Sequence, residues 1–149
     1  MNKTAIKNFA IWAREKIIAD ILYKAKMVGI TSESIAEKLP QSTIDLHFYD
    51  IGTKDYAQIS GREISQRSAL VNAIREKEKN IGNYKEAFQY VIEEVAYTWF
   101  NRLIAIRFME VNDYLPSGVR VLSSENNAKK EPDLVTNPFD TDIDFTIDE

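Results

Sequence analysis

Apolar residues recur at helical spacing in three long stretches of the chain, and the first of these covers residues 2–28. Its apolar positions form one stripe: Ile6, Phe9, Ala10, Ala13, Ile17, Ile21, Ala25 and Val28. A stripe of this period predicts an amphipathic helix, and Asn2 and Thr4 are both suitable N-terminal caps. Gly29, followed by the apolar Ile30, is the pattern of a left-handed cap, so we expect the helix to end there.

The pattern becomes less regular after this helix. Thr31 or Ser32 can cap a short helix that ends before Pro40. Further on, apolar residues occupy alternate positions at Ile44, Leu46 and Phe48. Alternation is typical of a strand, but a stretch this short also fits an ordered loop, so both interpretations of residues 41–58 stay open.

A capping box predicts the start of the second long helix. Ser60 and Glu63 stand three residues apart, which lets each side chain bond the other's backbone N–H. Ile59 and Ile64 flank the box at the positions of a hydrophobic staple. The helical pattern continues from there to Gly82, which is expected to end it.

The third stretch predicts one long helix, from about Tyr84 to Tyr114. Asn83 and Glu86 repeat the capping pattern at its start. At 1.5 Å per residue the helix is about 45 Å long, which exceeds the usual diameter of a small domain. Because apolar residues cover most of its circumference, it either runs through a core or projects toward a neighbour.

Four charged residues lie within this apolar helix: Glu94, Arg102, Arg107 and Glu110. As structural residues they would form ion pairs, since a charge buried without a partner is costly. As functional residues they would form part of an interface, because a guanidinium binds phosphate or carboxylate in bidentate geometry. We favour ion pairing and keep the four as candidate interface or ion-pair residues.

The middle of this helix, FNRLIAIRFME at residues 100–110, carries a family resemblance. It resembles the FxRLxxxRFxE helix found ahead of the catalytic domain in adenine-specific DNA methyltransferases of restriction-modification and phage-defence systems, and above all in the PglX-like enzymes of BREX systems. Three further segments fit the same region in the same order: MNKTAIKNFAIWAREKIIADI, SQRSALVNAIREK and GVRVLSSEN. Together they span about four-fifths of the chain.

The resemblance implies an N-terminal helical domain of a larger enzyme that transfers a methyl group from S-adenosylmethionine to adenine. Such an enzyme needs a glycine-rich cofactor turn and an (N/D)PP(Y/F/W) loop that holds the flipped base. All five glycines of this chain are isolated, and Asn137-Pro138-Phe139-Asp140 has one proline too few. We therefore predict no catalytic and no cofactor-binding residue here, and S-adenosylmethionine only in the parent protein.

Composition fits one ordinary globular domain of 149 residues, with 44% hydrophobic and 28% charged residues. No apolar run is long enough for a membrane span. There is no cysteine and only one histidine, so we predict no metal site, and the composition fits a reducing cytoplasm. The net charge of −4 is unevenly distributed, because residues 121–149 hold eight acids against two bases and residues 1–120 carry about +2.

The first helix has the most basic surface of the chain. Five residues on it are candidate contacts to the DNA backbone: Lys3, Lys7, Arg14, Lys16 and Lys24. A solvated helix face without nucleic acid also explains them and is the interpretation we favour. A domain of nearly neutral charge is too weakly basic to bind DNA alone, but it can add phosphate contacts within a larger protein.

These observations predict an all-α protein. Residues 1–120 are expected to form an orthogonal or bundle-like helical domain with one irregular segment, and residues 121–149 a flexible acidic tail or linker that leads to the catalytic domain. The expected partners are that catalytic domain, DNA in the context of the parent, and other defence-system proteins, without a membrane. The alternative function is an independent helical protein–protein interaction adaptor that does not bind DNA.

Overall fold

The computed structural model describes residues 3–115, 118–126 and 128–140. Its elements, in chain order, are α1 (Lys3–Met27), β1 (Leu46–Tyr49), β2 (Ala57–Ser60), α2 (Arg62–Ile81), α3 (Tyr84–Val111), the short α4 (Asp133–Thr136) and a 3-10 turn (Pro138–Asp140). The chain divides into two compact units, Met1–Thr98 and Trp99–Glu149, so that α3 runs through the boundary. The three long helices form where the sequence predicts them; Asn2, one of the two predicted caps of α1, lies outside the described residues.

The first unit has an apolar core built by three helices. Its buried members come from the end of α1, the middle of α2, the first half of α3 and the loop after α1: Ala25, Ile30, Ile74, Phe88, Val91 and Ile92. Ile30 and Ile74 are fully buried. Partly buried side chains such as Ile21 and Leu70 pack around this cluster. Burial of these side chains is the main stabilising contribution to the first unit.

A two-stranded antiparallel sheet corrects the all-α prediction. β1 pairs with β2 so that Leu46 lies opposite Ser60 and Tyr49 opposite Ala57. Alternate side chains of β2 point inward, and a second apolar cluster forms from Tyr49, Ala57 and Ile59. The hairpin forms because this alternation buries one face while the other stays exposed. The fold is therefore predominantly helical, with a small sheet where the sequence left strand and loop open.

The short helix expected after Gly29 is also wrong. Gly29 has the predicted left-handed conformation, with φ of 72°. Beyond it the chain turns back at once: Ile30 forms an antiparallel bridge with Ile35, and the N–H of Ala36 donates to the carbonyl of Gly29 at 2.7 Å. The Thr31 hydroxyl, predicted as a helix cap, instead accepts the backbone N–H groups within this turn. The extended geometry wins because it buries Ile30 in the core.

The predicted starts of α2 and α3 are confirmed in position. The carboxylate of Glu63 accepts the N–H of Ser60 at 3.4 Å, which is one half of the predicted capping box, while Gly61 is the residue that caps α2. The side chain of Asn83 accepts the N–H of Glu86 at 3.2 Å, as the capping pattern before α3 predicts.

The second unit holds the rest of α3 and the chain that follows it. Residues 118–126 and 128–140 form hydrogen-bonded turns and α4, and the N–H of Leu134 donates to the carbonyl of Arg120 at 3.0 Å. The domain boundary at residue 120 and the flexibility of the acidic tail stay predictions, and residues 127 and 141–149 of that tail lie outside the described residues.

Candidate functional site

The second half of α3 carries a buried carboxylate. Glu110 is 2% exposed and is the one charged residue that is buried in the described part of the chain. Its Oε2 accepts a hydrogen bond at 2.5 Å from Nη1 of Arg107, one helical turn earlier. The same Nη1 donates to Oγ of Ser123 at 2.7 Å. The helix places the two charges together because residues three apart lie on one face.

The other oxygen of Glu110 fastens the chain that returns after α3. Oε1 accepts the backbone N–H of Leu122 at 2.7 Å and that of Ser123 at 3.1 Å. Burial by itself would raise the pKa of Glu110, but the hydrogen bonds from Arg107 and the two N–H groups outweigh it and hold the pKa below its ordinary value. Glu110 is therefore ionised at neutral pH, and both of its carboxylate oxygens accept hydrogen bonds.

A second carboxylate completes this attachment. Asp133, at the start of α4, accepts the Ser124 hydroxyl at 2.6 Å and the N–H of Glu125 at 2.8 Å. The bond from Ser124, followed by the one from Glu125, lowers the pKa of Asp133. The two carboxylates, Glu110 and Asp133, thus bind neighbouring stretches of the segment 122–125.

The remaining charged candidates of α3 are not brought to this cluster. Glu94 is exposed, and its carbonyl accepts the Thr98 hydroxyl at 2.9 Å. Arg102 is exposed beside the ring of Trp99, with its guanidinium 5.7 Å from the ring centre. Neither Glu94 nor Arg102 forms an ion pair with another residue in the described ranges. The proposal that all four residues form an interface stays a prediction.

The five basic candidates of α1 are all exposed. Two of them are paired: Arg14 with Glu93 at 3.3 Å and Lys16 with Asp20 at 2.8 Å. The other three, Lys3, Lys7 and Lys24, form no ion pair within the residues that the structure describes. A contact from any of them to DNA stays a prediction.

A small cavity of about 50 Å³ lies beside Glu110, between the end of α3 and the returning chain. Arg120 and Glu125 line it, and Nε of Arg120 is buried there without a hydrogen bond because Glu125 Oε1 is 3.9 Å away. This volume suits a few water molecules and is too small for a nucleobase or S-adenosylmethionine. Among residues 3–115, 118–126 and 128–140, no three potential metal ligands converge, and no helix is long and apolar enough to cross a membrane.

Sequence reasoning did not identify Ser123, Asp133 or Arg67 as organising residues. Ser123 and Asp133 lie in stretches whose composition indicates only turns. Arg67 donates from Nε to the carbonyl of Val28 at 2.8 Å, and from Nη2 to that of Ala36 at 2.7 Å, while its guanidinium lies 3.6 Å from the centre of the Tyr49 ring. Arg67 is one of several charged residues on α2, and its targets are backbone atoms that no sequence pattern reveals.

Comparison with known proteins gives the class first: the chain is similar to adenine-specific methyltransferases. Over 152 aligned positions, which cover all of this chain and 12% of the relative, it is 47% identical to the adenine-specific methyltransferase PglX of Lacticaseibacillus casei (strain Zhang). Over 124 positions, or 83% of this chain and 9% of the relative, it is 32% identical to the adenine-specific methyltransferase BrxX of Escherichia coli O9:H4 (strain HS). No protein-family model and no solved structure matches the chain.

The resemblance found in the sequence is thus confirmed: the chain is similar to part of the adenine-specific methyltransferases PglX and BrxX. It spans about a tenth of the length of the relatives it matches. Two of the segments that carry the resemblance meet in the structure, because Glu110 of FNRLIAIRFME binds Leu122 and Ser123 of GVRVLSSEN.

Proposed function

We propose that this chain is a non-catalytic helical domain of an adenine-specific, S-adenosylmethionine-dependent DNA methyltransferase of phage defence. It supports the catalytic part of the same polypeptide and helps to enclose DNA in the cytoplasm. One observation carries the proposal, namely the 47% identity to PglX along the entire chain. Identity at that level over a whole chain favours a shared role for the matching segments.

The non-catalytic role is supported by the chemistry of the described residues. The most organised polar cluster, around Glu110, has its carboxylate bound by Arg107, Leu122 and Ser123, which leaves it no free oxygen for proton transfer. The adjoining cavity of about 50 Å³ has no room for a cofactor. This arrangement suits a residue that holds the backbone in place.

The proposed contribution to DNA enclosure is supported only by the exposed basic residues of α1. Lys3, Lys7 and Lys24 are exposed, and long basic side chains of this kind contact phosphates without reading bases. A few such contacts add affinity that falls with salt concentration. In this proposal α1 contributes to the total affinity of the complete enzyme and does not bind DNA by itself.

A second candidate function is an independent protein–protein interaction adaptor without DNA binding. The observation that favours it is an apolar face on α3, here named the α3 stripe, which consists of the exposed Ile104, Phe108 and Val111 and the partly buried Phe100. An adaptor would form a defined oligomer or complex at micromolar concentration through that face. The two functions differ in whether adenine methylation depends on this chain.

A replacement experiment in the L. casei relative tests the proposal. Three forms are compared: the intact relative, a form that lacks the matching stretch, and a chimera that carries this chain in its place. We expect methylated adenine, measured by mass spectrometry of digested DNA, from the intact form and the chimera but not from the deletion. This chain alone should neither methylate DNA nor bind S-adenosylmethionine in calorimetry. Methylation by the chain alone, or full activity of the deletion, contradicts the proposal.

A further inference from the structure

The α3 stripe is a continuous apolar surface on the second unit. Its four residues, Phe100, Ile104, Phe108 and Val111, are spaced by four, four and three, so they lie along one side of the helix. Ile104 is 45% exposed, Phe108 61% and Val111 56%. The ring of Tyr114 extends the surface, edge-on to Phe108 at 6.2 Å between ring centres. An exposed row of this length at helical spacing is the pattern of a helix that docks by one face.

The described part of the second unit has no apolar core. None of its described apolar side chains is buried, and Glu110 is the residue at its centre. Hydrophobic burial is the dominant favourable contribution to folding, so a small unit without it gains little stability from its own packing. The α3 stripe is therefore the surface through which this unit gains apolar burial.

The chemistry of the stripe selects among possible occupants. Its four members carry no charge, and the guanidinium of Arg107, which lies on the same side of the helix three residues after Ile104, is bound to Glu110 and Ser123. A phosphate backbone needs cationic donors, so DNA does not suit this face. An apolar protein surface does suit it.

We propose that the α3 stripe is the docking site for the remainder of the same methyltransferase polypeptide, which packs an apolar helix or sheet face against it. This inference rests on the proposed function. The chain spans 12% and 9% of the two relatives, so a parent of their kind contains ample surface for this contact. A covalently linked surface also binds at a much higher effective concentration than a second molecule, which favours it over a second copy of the chain.

Cysteine accessibility tests this docking directly, because the chain contains no cysteine. Ile104→Cys reports on the stripe, and Ile44→Cys is the matched control at a loop residue that is 90% exposed. Each substitution is placed both in this chain and in the chimera with the L. casei relative, and iodoacetamide labelling is followed peptide by peptide. We expect Ile104→Cys to react at least about tenfold more slowly in the chimera than in the chain alone, and Ile44→Cys to react equally in both.

Three outcomes overturn the docking inference. Equal labelling of Ile104→Cys in the chain and the chimera means that the stripe stays open. Protection that is present only after DNA is added means that DNA is the occupant. Protection in the chain alone that grows with concentration, with a dimer in sedimentation, means that a second copy is the occupant. In each case methylation by the unsubstituted chimera shows separately whether the proposed function stands, since labelling does not require activity.

Discussion

The two units of this protein are organised around opposite chemistry, although one helix contributes to both. In the first unit the centre is apolar, and α3 supplies Val91 and Ile92, both almost fully buried. In the second unit α3 supplies Glu110 to the centre and leaves Ile104 and Phe108 exposed. The change occurs within one continuous helix whose apolar residues recur at helical spacing in both units.

The difference between the two units shows that apolar burial stabilises a fold, whereas a buried carboxylate positions the backbone around it. Apolar burial is non-directional and supplies most of the free energy of folding, so the first unit has what it needs internally. A buried carboxylate is directional: it fixes where Leu122 and Ser123 lie, but its desolvation offsets much of the gain. In the second unit the chain at Leu122 and Ser123 is thus held in a defined position against α3, but the unit has little apolar burial.

The largest contrast in the free energy of unfolding is expected when one isoleucine is replaced by alanine in each unit. Ile74→Ala removes a fully buried side chain of the first unit and should lower the free energy of unfolding by about 2–5 kcal/mol, since it leaves a cavity. Ile104→Ala, at the 45% exposed position on the α3 stripe, should change it by less than about 0.5 kcal/mol in the isolated chain. Urea unfolding followed by circular dichroism measures both. Losses of equal size would show that the stripe is already covered and that the comparison is wrong.

A smaller effect is expected from filling the turn after α1. A Cβ on Gly29 would lie 2.7 Å from Cβ of Ala36, in a backbone conformation with φ of 72°. Gly29→Ala should therefore cost about 2–4 kcal/mol, through both left-handed strain and overpacking. Gly82→Ala is the matched control, because Gly82 has φ of 79° with no atom within 4 Å of the added Cβ. Its cost should be about 1–2 kcal/mol, from strain alone.

The same urea unfolding measurement compares the two glycine variants. If Gly82→Ala lowers the free energy of unfolding as much as Gly29→Ala does, close packing at the turn around Gly29 does not contribute to the stability of the first unit.

Removing the charge at the centre of the second unit should have a local effect. Glu110→Gln replaces a charge-assisted acceptor and turns an amide NH₂ toward Arg107 or toward the N–H groups of Leu122 and Ser123. We expect those two amides to lose about 1–3 kcal/mol of protection in hydrogen exchange, while amides of α2 are unchanged. Glu94→Gln, the exposed counterpart on the same helix, is the control and should alter neither set. A global loss of protection would mean that the two units unfold together.

Sequence patterns predicted the elements that depend on local rules. The C-terminal ends of α1 and α2 follow from Gly29 and Gly82, and the start of α3 follows from Asn83, because glycine in a left-handed conformation and an asparagine cap act within a few residues. The hairpin was left open between strand and loop, and the turn after Gly29 was wrongly predicted as a short helix. In both places burial of an apolar side chain, Ile59 or Ile30, outweighs the local conformational preference.

The site was predictable only in part for the same reason. The pairing of Arg107 with Glu110 is within reach of sequence reasoning, because the two lie three residues apart on a helix. The partners of Glu110 on the returning chain are backbone N–H groups, which every residue carries, so no residue type marks them. That α3 leaves its apolar stripe exposed after residue 98 also has no sequence signal, since exposed and covered apolar helices have the same periodicity.

The smallest and most gradual effect is expected from acid. The pKa of Glu110 and that of Asp133 lie below their ordinary values in the folded chain, so each carboxylate stabilises the second unit above the unfolded pKa of about 4 and loses that contribution as the pH falls through its lower folded pKa. For the buried Glu110 the loss is limited to about 1.4 kcal/mol per pH unit. Hydrogen exchange between pH 6 and pH 3, corrected for the intrinsic rate, should show protection of the Leu122 and Ser123 amides falling below about pH 4, while α2 amides keep theirs. In Glu110→Gln this dependence should be reduced. A simultaneous loss in α2 would show that acid acts on the apolar core of the first unit, and the contrast between an apolar and an ionic centre would then be unsupported.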